Sequence, residues 1–391
     1  MDADTPVSMR LIPPVVGRSK RSNKGPTDEE LSRFLGGKLY FVDSGTSALA
    51  LAVLSAIKCK QLASNETSEV IIPAYCCPDI VAAVNYAGAK PVLVDFDRES
   101  PRLSVVGVEN QITENTVAIV AVNFLGVPER IDRLAQIAIR NDISLIHDSC
   151  QFYPVKPIER DNSDYTIYSF GRGKPVSVFH GGLLVTRQEL SLELIQNVCQ
   201  RGSGLLGNTR YAVKSLLQEM GRNPMIYGYA VACGWAGVTH IERLKSISSM
   251  LDSAKSYLGS NIDAYHGRQN PIASGMKRVF SQYHADIVDL TGQVDDLDGR
   301  AILRYSVLME DGNQQTKFIE ALRNSGIGAS TLYGRILPRI PGCEISYGNE
   351  SYSNANEFAK RLVTLPAHSD VPKNVFDEIE KACMYCGIGK T

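Results

Sequence analysis

The run Tyr168-Ser-Phe-Gly-Arg-Gly-Lys174-Pro-Val-Ser-Val-Phe-His-Gly-Gly-Leu-Leu-Val-Thr186 decides how the chain is read. Tyr165 to Phe170 is rich in β-branched and aromatic residues and predicts a short strand that ends in a turn at Gly171 and Gly173. A second apolar strand, Leu183 to Thr186, follows Gly181-Gly182. Lys174 stands between them. By itself the stretch allows two readings, a solvated lysine in a hairpin loop or a lysine held at a backbone bend for chemistry. An amine with an ordinary pKa of about 10.4 becomes chemical when it is desolvated or set among other charges. The rest of the chain has to supply that setting.

Upstream, apolar strands alternate with helices. Leu39 to Val42 predicts a strand, followed by Asp43-Ser-Gly-Thr-Ser-Ala48 and an alanine- and leucine-rich helix from Thr46 to about Leu62. Ser44, Thr46 and Ser47 are natural caps, and the first turn of such a helix offers amides and a dipole to an anion. Strands are predicted at 70–73, 91–96, 117–122 and 143–146, with helices at 80–86 and 130–140 between them. That alternation specifies a largely parallel sheet covered on both faces, with ligands expected beyond the carboxyl ends of the strands. Tyr75, Asn123, Asp148 and Gln151 all fall just past such ends.

Downstream, residues 189–258 read as mainly helical, with an apolar stretch from Met225 to Val238 too short to cross a bilayer. Composition shifts to Gly, Asn and Pro around Tyr265 to Met276. Beyond it, strands at 304–309, 326–332 and 362–365 and helices at 313–324, 353–361 and 375–385 predict a smaller α+β unit. The expected division is an N-terminal arm (1–35), a large domain (36–265) and a small domain (266–391).

Of the 391 residues, 44% are hydrophobic and 21% charged, which suits a globular protein with ample core. A formal net charge of -1 gives no global field to recruit nucleic acid or an anionic membrane. Nine cysteines, an odd and scattered set, predict a reducing compartment, the cytoplasm, rather than a disulfide framework. No metal site is expected, Cys383 and Cys386 reading as two helix residues.

Four segments in order carry a family resemblance: Ser44-Gly-Thr-Ser-Ala-Leu49, Pro73-Ala-Tyr75, Asp148-x-x-Gln151, and Ser169-Phe-x-x-x-Lys174 ahead of Gly181-Gly182. Together they resemble the DegT/StrS-type sugar aminotransferases, fold-type-I enzymes that use pyridoxal 5'-phosphate (PLP). The resemblance implies that Lys174 holds PLP as a Schiff base and shuttles a proton, while Asp148 keeps the pyridine nitrogen protonated. It implies that Gln151 meets the ring's 3-oxygen, that Gly45, Thr46 and Ser47 cradle the phosphate with help from Ser169, and that Tyr75 lies against the ring. Gly207-Asn-Thr-Arg210 resembles the family's Asn-x-Arg segment, so Asn208 would reach the phosphate of a neighbouring subunit in a homodimer. The implied reaction moves an amino group from an amino acid, L-glutamate first among donors, to a keto sugar carried on a nucleotide. The alternatives are a PLP-dependent sugar dehydratase, PLP chemistry on a non-sugar substrate, or a PLP-binding regulator without turnover. Three departures bear on the substrate: Cys77 replaces an aromatic, Phe179-His180 replaces a Gly-acidic pair, and the family's histidine-bearing loop is not recognisable around Tyr333-Gly-Arg335.

Overall fold

The computed structural model describes residues 10–15, 19–60, 66–159, 162–200, 204–233, 243–294, 302–343, 345 and 351–391. The first part of the chain is laid out as β1 (Lys38–Val42), α2 (Gly45–Lys60), β2 (Glu69–Pro73), α3 (Asp79–Tyr86), β3 (Lys90–Val94), α4 (Val105–Gln111), β4 (Thr116–Val122), α5 (Ile131–Arg140), β5 (Ser144–Asp148), β6 (Tyr165–Ser169) and β7 (Gly182–Thr186), preceded by α1 (Asp28–Leu35). After them come α6 (Leu192–Val198), β8 (Cys199–Gln200), α7 (Leu205–Met220), α8 (Pro224–Ala232), β9 (Ile247–Ser248) and α9 (Asp252–His266). The C-terminal part contains α10 (Pro271–Phe280), β10 (Val288–Asp289), β11 (Tyr305–Leu308), α11 (Gly312–Asn324), α12 (Ser353–Arg361), β12 (Leu362–Leu365) and α13 (Val375–Tyr385).

Seven strands form the main sheet in the order β1-β7-β6-β5-β4-β2-β3. The five from β6 to β3 run parallel, and β7 alone runs against its neighbours β6 and β1. The sheet is thus mostly parallel, and the segment around Lys174 is the connection of an antiparallel pair. Every residue of β4 is buried, as expected of a central strand covered on both sides. Its Val117, Val120 and Val122 pack with α2 and α3, while Ile119 and Ala121 pack with Leu134, Ala135 and Ile137 of α5. The period of two repeats in β6, whose Ile167 joins the α2 side while Tyr168 joins a separate cluster with Leu183, Val176, Val178 and Phe179. That cluster pins the loop carrying Lys174 from beneath.

A second core, from Ile272 to Ile388, surrounds the three-stranded sheet β10-β11-β12. Three readings of the sequence change. Part of the expected arm is helix α1, whose Thr27 and Glu30 cap each other reciprocally and whose Leu31 and Leu35 are buried. The strand expected at 326–332 is an irregular segment with single bridges at Ile327 and Ser330, since Gly326 and Leu332 take left-handed φ angles of 82° and 60° that a strand excludes. The Gly- and Pro-containing stretch near 265–276 is largely the ends of two helices, α9 and α10, with Asn270 capping the second.

One close approach joins the start of β7 to the start of α2. A Cβ on Gly182 would lie 2.2 Å from the Ser44 carbonyl oxygen and 2.6 Å from Gly45 N. Gly182→Ala must therefore push the Lys174 connection off α2. It is expected to cost about 1–3 kcal/mol, read as a lower urea midpoint at unchanged slope.

Candidate active site

The loops leaving β2, β4, β5 and β6 open on one edge of the sheet, where Asp148, Gln151, Ser169 and Lys174 lie. Asp148, the last residue of β5, is 7% exposed, and its Oδ1 accepts a hydrogen bond from the Cys150 N–H at 2.9 Å. Gln151 is equally buried, and its Oε1 accepts from the Leu125 N–H at 2.9 Å. Leu125 adopts a left-handed φ of 57° to present that N–H. The bond orients the amide so that Nε2 is the end left to donate. Asn123 is a brace: its Nδ2 donates to Ser149 Oγ and its Oδ1 accepts from the Glu129 N–H.

At the head of α2, Gly45 occupies a position that admits only glycine. A Cβ there would stand 2.8 Å from Ser169 Cβ and 3.1 Å from Cys150 Sγ. β6, β5 and the helix start thus close around one small space. The N–H groups of Gly45 and Thr46 and the hydroxyls of Thr46 and Ser169 make no hydrogen bond among the described residues. Two unpaired amides at a helix N-terminus with two hydroxyls beside them are a donor set for a phosphate. Ser47 departs from expectation: it is fully buried, its N–H donates to Ser44 Oγ at 3.0 Å, and its hydroxyl is 2.9 Å from the same oxygen. It supports the cradle from behind and does not line it.

Tyr75 also departs. Its ring is wholly buried against Phe96, Phe124, Tyr333 and Phe358, with centroids 5.5–6.3 Å away, and its hydroxyl donates to the Thr331 carbonyl at 3.1 Å. A side chain with no accessible surface in the absence of ligand has no face to offer a cofactor ring. Tyr75 instead ties the edge of the main sheet to Thr331, Tyr333 and Phe358 of the C-terminal part.

Lys174 is brought to this edge by the connection between β6 and β7. Burial works against its charged form, and the sulfurs of Cys150 and Cys77 with the carboxylates of Asp148 and Asp79 outweigh that, so its pKa is raised. Burial pushes the Cys77 thiol up to about 12 and Cys150 well above the usual range, so both are neutral near pH 7. The Asp148 and Asp79 side chains face the same amine. Cys77, which lies at the position where the sequence departs from the family pattern, also hydrogen-bonds the Tyr333 side chain. A cavity of about 710 Å³ opens where the Lys174 loop faces the C-terminal domain, between Gly173, Lys174, Ile302, Leu303, Ala367 and His368. Its size suits a small-molecule substrate. Asn208 lies elsewhere, exposed on the first turn of α7 with its Oδ1 accepting from the Ser253 hydroxyl at 2.8 Å. Residues that the sequence patterns missed here include Cys150 and Tyr333. Cys150 was within reach, lying inside the Asp148-x-x-Gln151 signature; Tyr333 enters only through the fold.

A mostly parallel sheet with Lys174, Asp148 and the start of α2 at its carboxyl edge fits the class of fold-type-I PLP-dependent aminotransferases. The chain belongs to the DegT/DnrJ/EryC1/StrS aminotransferase family, whose profile matches residues 27–383. It is 30% identical to GDP-perosamine synthase of Escherichia coli O157:H7 over 173 residues, a match spanning 44% of this chain and 45% of that enzyme. The fold is shared with PseC of Helicobacter pylori, an aminotransferase involved in the biosynthesis of pseudoaminic acid, at 19% identity and a TM-score of 0.66 over 95% of this chain and 92% of that one. It is shared also with NtdA of Bacillus subtilis with bound cofactor PMP, at 17% identity and a TM-score of 0.65 over 93% and 77% of the two chains.

His180, beside the Gly181-Gly182 pair, packs edge-on against Tyr211 at 5.9 Å, and its buried Nδ1 has no hydrogen-bond partner. Burial, with Lys214 nearby, lowers its pKa to about 4. The folded state holds His180 neutral, so its contribution is complete above the unfolded pKa near 6.5 and is lost as pH falls towards 4. Denaturant titrations of the wild type across that window are expected to show a stability loss that His180→Gln lacks.

Proposed function

We propose that the protein transfers an amino group from an amino acid, with L-glutamate the expected donor, to a keto sugar carried on a nucleotide, with Lys174 and Asp148 as its catalytic residues. Family membership supports the reaction class, and GDP-perosamine synthase, whose name carries a GDP-linked sugar, supports the acceptor class. The observation that carries the reading is the convergence of Lys174, Asp148, Gln151 and the Gly45 cradle on one sheet edge.

The residues present fit PLP, which when bound supplies an electron sink for breaking a Cα–H bond of the donor. Gly45, Thr46 and Ser169 would hold its phosphate, Asp148 its ring nitrogen and Gln151, through Nε2, its 3-oxygen. Ser47 and Tyr75 would act through the residues they support. Lys174 would be the covalent anchor and, as a free amine, would take and return the migrating proton. Its position between a desolvating pocket and two carboxylates keeps a proton at Nζ available, while the buried aromatic cluster behind Cys77 keeps bulk water from that side.

Borohydride treatment of PLP-loaded protein followed by peptide mapping should place the label on Lys174; a label on another lysine rejects the assignment. Lys174→Ala should retain loosely held PLP and lose transamination by several orders of magnitude. Asp148→Asn should keep the label and fold yet lower turnover sharply, because an amide cannot hold the ring nitrogen protonated.

The domain division at 265/266, a cytoplasmic setting and a homodimer belong to the same reading. The odd, scattered set of nine cysteines in the sequence supports the reducing setting. On α7, Val213, Leu216, Leu217 and Met220 form an exposed stripe at helical spacing, continued on α8 by Met225, Ile226 and Tyr229. A second copy would cover it, and Asn208, on the same helix, would then reach the partner's phosphate. Residues 234–238 of the apolar stretch lie outside the described residues. Light scattering should return a dimer, and Leu216→Lys with Tyr229→Lys should shift it to monomer; a fully active wild-type monomer would reject this part.

A further inference from the structure

Residues 11–15, ahead of α1, run across the C-terminal part of the molecule and end against the Lys174 turn. The Leu11 N–H donates to the Pro224 carbonyl at 3.0 Å, at the start of α8, and the Leu11 side chain is 2% exposed. The Ile12 N–H donates to the Gly326 carbonyl at 2.8 Å, and Ile12 pairs with Ile327 as a single parallel bridge. A Cβ on Gly328 would run into the Ile12 carbonyl oxygen, so the two segments lie flat on each other. His368 holds Pro13. Its Nδ1 accepts from the Asp370 N–H at 3.3 Å, so Nε2 carries the proton and donates to the Pro13 carbonyl at 2.8 Å.

Val15 then meets the turn itself. A Cβ on Gly173 would stand 2.7 Å from Val15 Cγ2, and Gly173 takes a left-handed φ of 72°. The turn's conformation and the room that Val15 occupies both require glycine there. The same valine lines the cavity of about 710 Å³ with Lys174, Ile302, Leu303, Ala367 and His368. Ordering an extended segment costs backbone entropy. Pro13 and Pro14 reduce that cost because their φ is already fixed, and the burial of both, with Leu11, works in the same direction. Val15 is thus presented to the cavity by a segment with three anchors before it.

We propose that residues 11–15 are a strap that forms one wall of the substrate cavity, with Val15 a specificity-determining residue. Val15 holds the Gly173 turn and limits the bulk of the group that can reach the Lys174 amine. The strap precedes residues 27–383, the part that the family profile matches, so the family pattern gives it no role. Its place in selection rests on the reading that Lys174 is the reactive amine.

The test uses full-length, cofactor-free protein and its Val15→Ala, Val15→Thr and Leu11→Ala variants. Lys174 is labelled with a small amine reagent, acetic anhydride, and with a bulky one, trinitrobenzenesulfonate. Rates are read by peptide mapping, with the exposed Lys38 as reference. Val15→Ala should raise the rate of the bulky reagent at Lys174 roughly threefold or more, with the small reagent and Lys38 less affected. Leu11→Ala should act in the same direction, because Leu11 lies outside the cavity lining and is the buried anchor of the strap. Val15→Thr keeps the branched shape and should label as the wild type does. A folded Val15→Ala that matches the wild type with both reagents overturns the proposal. So does an equal rise with both reagents and at Lys38, which reports general loosening. Val15 is half-buried, so its variant gives the result even where Leu11→Ala does not fold. The half-reaction of the PLP-loaded wild type with L-glutamate is followed in parallel. Its absence rejects the transaminase reading while the labelling rates still decide on the wall; its presence with unchanged labelling rejects the wall alone.

Discussion

Gly182 has no room for a side chain because its backbone runs into the Ser44 carbonyl. Through that contact the only antiparallel strand of the main sheet is fitted against the head of α2. The register Ser169↔Gly182 then places the Ser169 hydroxyl beside Gly45, and Gly45 beside Cys150. Every other part of the site takes its position from this meeting of three chain segments. Had β7 joined the sheet parallel to β6, a long crossover would have replaced the short connection, and Lys174 would have lain far from Asp148.

The electrostatic character of the site follows from its depth. Two neutral thiols and two carboxylates surround one ammonium, and a solvated hairpin lysine would have no such neighbours. The two readings that the sequence leaves open for Lys174 are therefore separated by burial and by Asp148, 26 residues earlier in the chain. The Phe179 and Val178 side chains that anchor the loop look, in the sequence, like ordinary strand residues.

Much of the architecture was legible because its elements are strongly patterned. The apolar runs of β2 and β4, the alanine-rich α2 and the segments α12, β12 and α13 fall where the sequence places them, to within a few residues. Helix α1 was missed because two leucines among charges give little periodicity, although Thr27-x-x-Glu30 is the pattern of a reciprocal cap. Inside the site the limit of the sequence has a different cause. A motif gives residue type and spacing, but not which way a side chain turns: Ser47 turns under the helix start and Tyr75 turns into the aromatic cluster. The hold of residues 329 and 330 on Arg323 and Arg304 had no sequence signature at all, since these positions meet only in the fold.

Residues 329–331 hold three things at once: Arg323 through the Ala329 carbonyl, Arg304 through the Ser330 hydroxyl and Tyr75 through the Thr331 carbonyl. Tyr75 in turn is packed against Tyr333, the partner of Cys77. A displacement of this short irregular segment would carry Arg304, Arg323 and the wall behind Lys174 together, as one lever with two arms.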